Sequence, residues 1–189
     1  MLRILRWSQR SLLGIAVLML GYCGYVGIDA WSFQRAELRQ FALLRVHRTA
    51  AHRATPPPVS GGMIGRIEIP RLNISVVVIE GSASTTLRRA VGHIRGTALP
   101  GQRGNIGISG HRDTFFRPLR NIRKDDVITL TTLDGEYRYR VVSTDIVMPS
   151  DVSVLDSDGR EILTLVTCHP FYFVGAAPNR FIVRAERIE

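Results

Sequence analysis

Val127-Ile-Thr-Leu-Thr-Thr-Leu-Asp-Gly-Glu-Tyr-Arg-Tyr-Arg-Val-Val-Ser-Thr-Asp-Ile146 carries the clearest architectural signal in the 189-residue chain. Two runs rich in Val, Ile, Thr and Tyr, the residue types that suit a pleated and partly buried surface, flank Asp134-Gly135. An Asp-Gly pair tolerates the positive backbone angles of a tight turn, so this stretch predicts a β-hairpin. Comparable β-prone runs recur at 65–69, 74–79 and 105–109 before it, and at 162–167 and 181–185 after it. Short runs of this kind broken by turn residues predict a mainly β domain, either a barrel or a sandwich. Helices there are minor: 85–90 has room for a turn or two, and 115–119 is cut by Pro118.

Upstream of this domain the chain changes character. Eighteen uncharged residues, 11–28, are rich in Leu, Val, Ile, Met and Gly and follow Arg3, Arg6 and Arg10. That length suffices for one membrane-spanning helix. The arginines place residues 1–10 in the cytoplasm and everything after Asp29 outside the cell membrane. A cleaved signal peptide is the competing reading, but its apolar region is shorter, and Ile28-Asp-Ala-Trp-Ser-Phe33 is a poor cleavage signal. Trp31 and Phe33 suit the outer interface. Residues 34–53 read as a helix whose apolar stripe, Leu38, Phe41 and Leu44, is ragged, and a solvated stalk is expected. Thr55-Pro-Pro-Pro-Val-Ser-Gly-Gly62 cannot continue a helix and marks the linker, so 29–62 forms stalk and spacer and 63–189 the single folded domain.

Charge excludes less than its total of +9 suggests. Residues 1–60 hold eight Arg against two acids, whereas residues 61–189 hold seventeen basic residues against fourteen acids. The excess flanks the apolar segment, and no nucleic-acid partner is expected.

Two cysteines occur, Cys23 inside the apolar segment and Cys168 in the domain, so a disulfide between them is not expected. An unpaired thiol outside the cell risks oxidation, which makes Cys168 a candidate for chemistry. On a strand over 162–168, Cys168 shares a face with Ile162, Thr164 and Val166, and His169 points the other way. A thiol acts as thiolate and requires a partner for its proton. His47 and His52 lie on the stalk. His111 stands where a strand gives way to a loop, a position that serves structural and catalytic roles alike. Arg180 opens the last strand; if that strand neighbours the one bearing Cys168, the hairpin returns Arg180 toward the thiol, where a permanently charged donor suits a developing oxyanion.

Taken together, Thr164-Leu-Val-Thr-Cys168, His111 at 57 residues before that cysteine and Arg180 at 12 after it resemble the catalytic set of the sortases. The similarity extends over about residues 63–188, including Ile67-Glu-Ile-Pro70 and Gly110-His-Arg-Asp-Thr-Phe-Phe116, and is strongest to class D members. The resemblance implies a closed eight-stranded β-barrel with short helices behind an N-terminal anchor. It further implies that Cys168 attacks the carbonyl after the Thr of a Leu-Pro-x-Thr-like sorting signal, forming a thioacyl enzyme. His111 would exchange protons with the departing and incoming amines, and Arg180 would bind substrate backbone or oxyanion, with Thr167 in support. Partners would be secreted proteins bearing such a signal, an amine of the cell wall or of another protein, and the lipid bilayer.

Some sortases bind calcium through acids on loops around the third and fourth strands, whereas residues 81–110 contain no Asp or Glu. No metal or other cofactor is therefore expected, and strong activation by millimolar calcium would contradict this. Asp113 could orient His111, although a surface turn acid is the simpler reading. Among rivals, cell-wall transpeptidases of the L,D type place Arg two residues after the cysteine, where Pro170 stands here. A non-catalytic basic module binding the envelope is the alternative from another class; its binding would survive Cys168→Ala.

Overall fold

The computed structural model describes residues 2–48, 62–172 and 175–188. Most of the linker over 55–62 and the end of the helix expected over 34–53 lie outside the described residues.

Eight strands form the domain: β1 (Met63–Ile69), β2 (Ile74–Glu80), β3 (Val91–His93), β4 (Gly104–Ser109), β5 (Val127–Thr132), β6 (Glu136–Val147), β7 (Glu161–His169) and β8 (Asn179–Arg187). They close into a barrel in the order β1-β2-β3-β4-β7-β8-β6-β5. Closure rather than a sandwich leaves no long sheet edge unpaired. All neighbours run antiparallel except β2–β3 and β4–β7.

The Asp134-Gly135 turn joins β5 to β6 as the local chemistry predicts. The Thr132 amide donates to Gly135 O at 2.8 Å, and the Thr132 hydroxyl accepts from the amides of Asp134 and Gly135 at 3.1 and 3.2 Å. Strand alternation then turns Ile128 and Leu130, like Leu163 and Leu165 on β7, into the fully buried barrel interior. Truncating one such Leu to Ala costs about 2–5 kcal/mol. β3 was not legible in the sequence: three residues are too few to show a period, and only the ladders to β2 and β4 make Val91–His93 a strand.

Below the barrel, the short turn Pro70–Leu72 is clasped to the start of β5. Arg71 donates from Nε and Nη2 to the two carboxylate oxygens of Asp126, each at 2.5 Å, and also to Asn121 O at 2.6 Å. Asp126 is 8% exposed and takes a further bond from the Arg123 amide at 2.8 Å. The Arg71 hydrogen bonds hold its carboxyl below the usual carboxylate range against the opposing effect of burial.

The N-terminal segment is one continuous helix, α1 (Leu2–Arg48), long and apolar enough to cross a membrane. Leu12, Leu18 and Leu20 are 66–74% exposed, so the described residues of the domain leave this part of α1 uncovered. Residues 34–41 of the expected solvated stalk pack instead on the barrel, and so does Phe33, expected at the membrane interface. Phe33 and Leu38 cover Val77, Ile79 and Ala90, and Phe41 is only 7% exposed. The reason lies in β2. Its parallel pairing with β3 covers only Val78, Ile79 and Glu80, so the Val77 amide finds no ladder partner on that side. Gln34 Oε1 accepts it at 2.9 Å while Gln34 Nε2 donates to Arg89 O at 2.6 Å. Both faces of β2 are thereby buried, one in the barrel and one under α1. The unbroken apolar run Val76–Ile79 is the sequence signal for that arrangement.

Candidate active site

Cys168 lies near the end of β7, which pairs with β4 on one side and β8 on the other. Across the antiparallel β7–β8 ladder the residue opposite Cys168 is Arg180. Directly opposed residues put their Cβ atoms about 4.5–5.5 Å apart on one face, so thiol and guanidinium project together from the outer barrel wall. Both are partly exposed. Arg180 Nη1 donates to Asn179 O at 3.1 Å within its own loop.

His111 reaches this rim through the parallel β4–β7 pairing, which is in register up to Ser109↔Val166. Beyond it the Gly110 amide donates to Val166 O at 3.1 Å, and the buried Thr167 hydroxyl donates to Gly110 O at 2.7 Å. Thr167 thus clamps the residue preceding His111 to the residue preceding Cys168. Glycine is required at 110, because a Cβ there would lie 2.6 Å from the ring of Phe116, which is fully buried beneath the turn. His111 O closes that turn by accepting from the Phe116 amide at 3.1 Å. The four expected residues, Cys168, His111, Arg180 and Thr167, therefore gather at one end of adjacent strands.

Two further anchors were not foreseen. Arg112, 5% exposed, donates from Nη1 to Pro170 O at 2.8 Å and from Nη2 to Gly175 O at 3.2 Å. It ties the His111 turn to the β7–β8 loop. One buried arginine among 24 leaves no local mark in sequence. On the outer face of β7 and β4, Thr164 Oγ1 donates to Asn105 Oδ1 at 2.7 Å, and Asn105 Nδ2 donates to Val154 O at 3.0 Å. That network holds the β6–β7 loop over the strands leading to Cys168.

His169, His93 and Asp113 make other contacts. His169 stacks on Phe181 at 6.3 Å between ring centroids and meets Phe171 edge-on at 6.0 Å, and its Nδ1 has no hydrogen-bond partner among the described residues. His93, 3% exposed, sits between Glu80 and Ala98 O at 2.7 and 2.9 Å, on the side of β3. Asp113 is 70% exposed and contacts Arg112 at 3.4 Å. Among the described residues, no three His, Cys, Asp or Glu side chains cluster as ligands for a metal ion.

The strand pairing and the Thr167 clamp thus bring Cys168, Arg180 and the turn bearing His111 to one end of β4, β7 and β8, three residue types whose chemistry suits acyl transfer. Comparison with known proteins places the chain in a family. The sortase domain model matches residues 67–188. The chain is 37% identical over 140 residues to Sortase D of Bacillus subtilis, covering 74% of this chain and 71% of that protein. It is 31% identical to Sortase A of Listeria monocytogenes, over 56% of this chain and 49% of the relative's length. Among solved structures, a Clostridium perfringens Sortase D5 transpeptidase superposes with a TM-score of 0.71 at 28% identity, covering 84% of this chain and 99% of that one. Fold, matched domain and relatives agree that the chain belongs to the sortases, a family of cysteine transpeptidases, and is most like class D.

Proposed function

We propose that the chain is a membrane-anchored cysteine transpeptidase that cleaves a Leu-Pro-x-Thr-like sorting signal after Thr and joins the Thr carbonyl to an amine of the envelope or of another protein. The observation that carries this reading is the register pairing of Cys168 with Arg180 beside the Thr167 clamp on the His111 turn. Cys168 attacks the Thr carbonyl carbon as thiolate, and the carbonyl oxygen becomes an oxyanion that Arg180 stabilises with its fixed charge. The C–N bond then breaks, the departing amine takes a proton from His111, and a thioester remains on Cys168. An incoming amine attacks this thioester and transfers a proton to His111 as the new amide forms and the thiolate leaves. Water in place of the amine produces hydrolysis.

Orientation follows from charge. Arg3, Arg6 and Arg10 keep the N-terminus in the cytoplasm, and α1 carries the barrel to the outer surface. The test is mass spectrometry of the full chain incubated with Leu-Pro-x-Thr-x peptides and candidate amines. Cleavage after Thr and a peptide–amine adduct are expected, both abolished in Cys168→Ala. Cleavage that persists in that variant would refute the reading, and a basic binding module without chemistry would show neither product.

A further inference from the structure

We propose that the junction between the outer end of the membrane-spanning part of α1 and the barrel binds the headgroup phosphate of an anionic phospholipid. This inference rests on the membrane placement proposed above and adds a site to it.

A cleft of about 290 Å³ opens at this junction, away from Cys168. Its helix wall is Tyr22, Tyr25, Val26 and Asp29, a single face at spacings of three, four and seven residues. Its barrel wall is Thr85, Arg88 and Arg89, from and just after the short helix α2 (Ser84–Leu87). The depth of this cleft is set by the uncharged run. Residues 11–28 rise about 27 Å, close to the hydrocarbon thickness, so Tyr22 to Asp29 occupy the outermost two turns, where acyl chains give way to phosphates. Tyrosines belong at that level, and Trp31 follows with the Arg35 guanidinium 3.8 Å above its ring.

The charges in the cleft are arranged for an anion. Asp29 is already satisfied: its two carboxylate oxygens accept from Arg89 Nε and Nη2 at 2.7 and 3.0 Å. Arg88 is exposed and forms no ion pair among the described residues, so one guanidinium remains for an incoming phosphate. Arg is the side chain whose donor geometry matches phosphate oxygens, and Thr85 lines the same cleft. The tyrosine faces supply an apolar wall for the glycerol and upper acyl carbons. A zwitterionic headgroup would bring its own cation toward Arg88, whereas an anionic one would not. The walls are held in register by the two Gln34 hydrogen bonds and by Phe33 packed on the barrel, so the cleft is preformed.

The experiment uses the full chain in nanodiscs of equal phosphatidylcholine and phosphatidylglycerol. Resistance to alkaline carbonate extraction from vesicles of the same composition tests the anchor, and failure there overturns the membrane placement and this site with it. Native mass spectrometry of the inserted protein tests the site itself. Retained phosphatidylglycerol is expected to exceed retained phosphatidylcholine about fivefold, the preference one arginine near a charged surface confers. Arg88→Gln, a surface change, should bring the ratio to about one, and Arg123→Gln, outside the cleft, should leave it unchanged. Retention at the bulk ratio, or an undiminished preference in Arg88→Gln, would overturn the lipid site while leaving the anchor intact.

Discussion

Arg112→Ala removes a nearly buried guanidinium that joins the His111 turn to the loop following Cys168. A charged donor to a carbonyl contributes about 1.5–3 kcal/mol. The bond to Pro170 O at 2.8 Å is of ordinary length, whereas that to Gly175 O at 3.2 Å is at the long end, so the second counts for about half. The contact with Asp113, itself 70% exposed, adds little. The sum is about 2–4 kcal/mol, and for a domain of this size that lowers Tm by roughly 10 °C. Because the freed loop carries the approach to Cys168 and Arg180, kcat/KM for a sorting-signal peptide should fall about 10- to 100-fold, measured well below both transitions. Arg112→Lys keeps the charge but loses the two-pronged donor, so it should recover part of the stability and less of the activity. Thermal unfolding of the full chain in detergent, paired with peptide cleavage kinetics, reads both quantities. A Tm within about 2 °C of wild type together with unchanged kcat/KM would show that the tether does not position the site.

Thr167→Val preserves shape and deletes only the hydroxyl that binds Gly110 O, leaving a buried carbonyl unsatisfied at a cost of about 1–3 kcal/mol. Urea unfolding should register that loss, kcat should fall with it, and Thr167→Ser should restore both; a fully active Val variant would contradict the clamp. The Asp126 carboxyl is held below its ordinary range, so its stabilisation is complete above the unfolded-state value of about 3.9 and is lost as pH falls through the lower folded value. Asp126→Asn should therefore lower Tm at pH 7, with the gap to wild type narrowing only below about pH 4. A gap that stays constant from pH 7 to pH 2 would refute the Arg71 clasp as its source.

Legibility in the sequence followed the range of the interactions. The β5–β6 hairpin and the strand ending at Cys168 rest on neighbours in the chain, and their residues announce them. Arg180 was also within reach, because β7 and β8 are consecutive and a hairpin must return it toward the thiol. His111 was harder: its approach depends on β4 pairing in parallel with β7, across the whole β5–β6 hairpin, and only its spacing within a recognised pattern pointed to it. β3, the Arg112 tether, the Thr164–Asn105 network and the Gln34 bond to Val77 were not legible. Each joins groups far apart in sequence and takes its meaning from a neighbour that no local window contains.

By itself, the sequence determined the apolar helix, the mainly β character and the candidate residue types for the site, because composition, periodicity and turn chemistry are properties of short segments. Only the tertiary structure decided the closed order of the strands, the docking of α1 on β2, and the gathering of Cys168, Arg180 and the Thr167-clamped His111 turn at one rim. Those features follow from ladder pairing and burial between distant segments, where one unpaired amide on β2 or one buried guanidinium beside His111 selects among packings that local preference leaves equal.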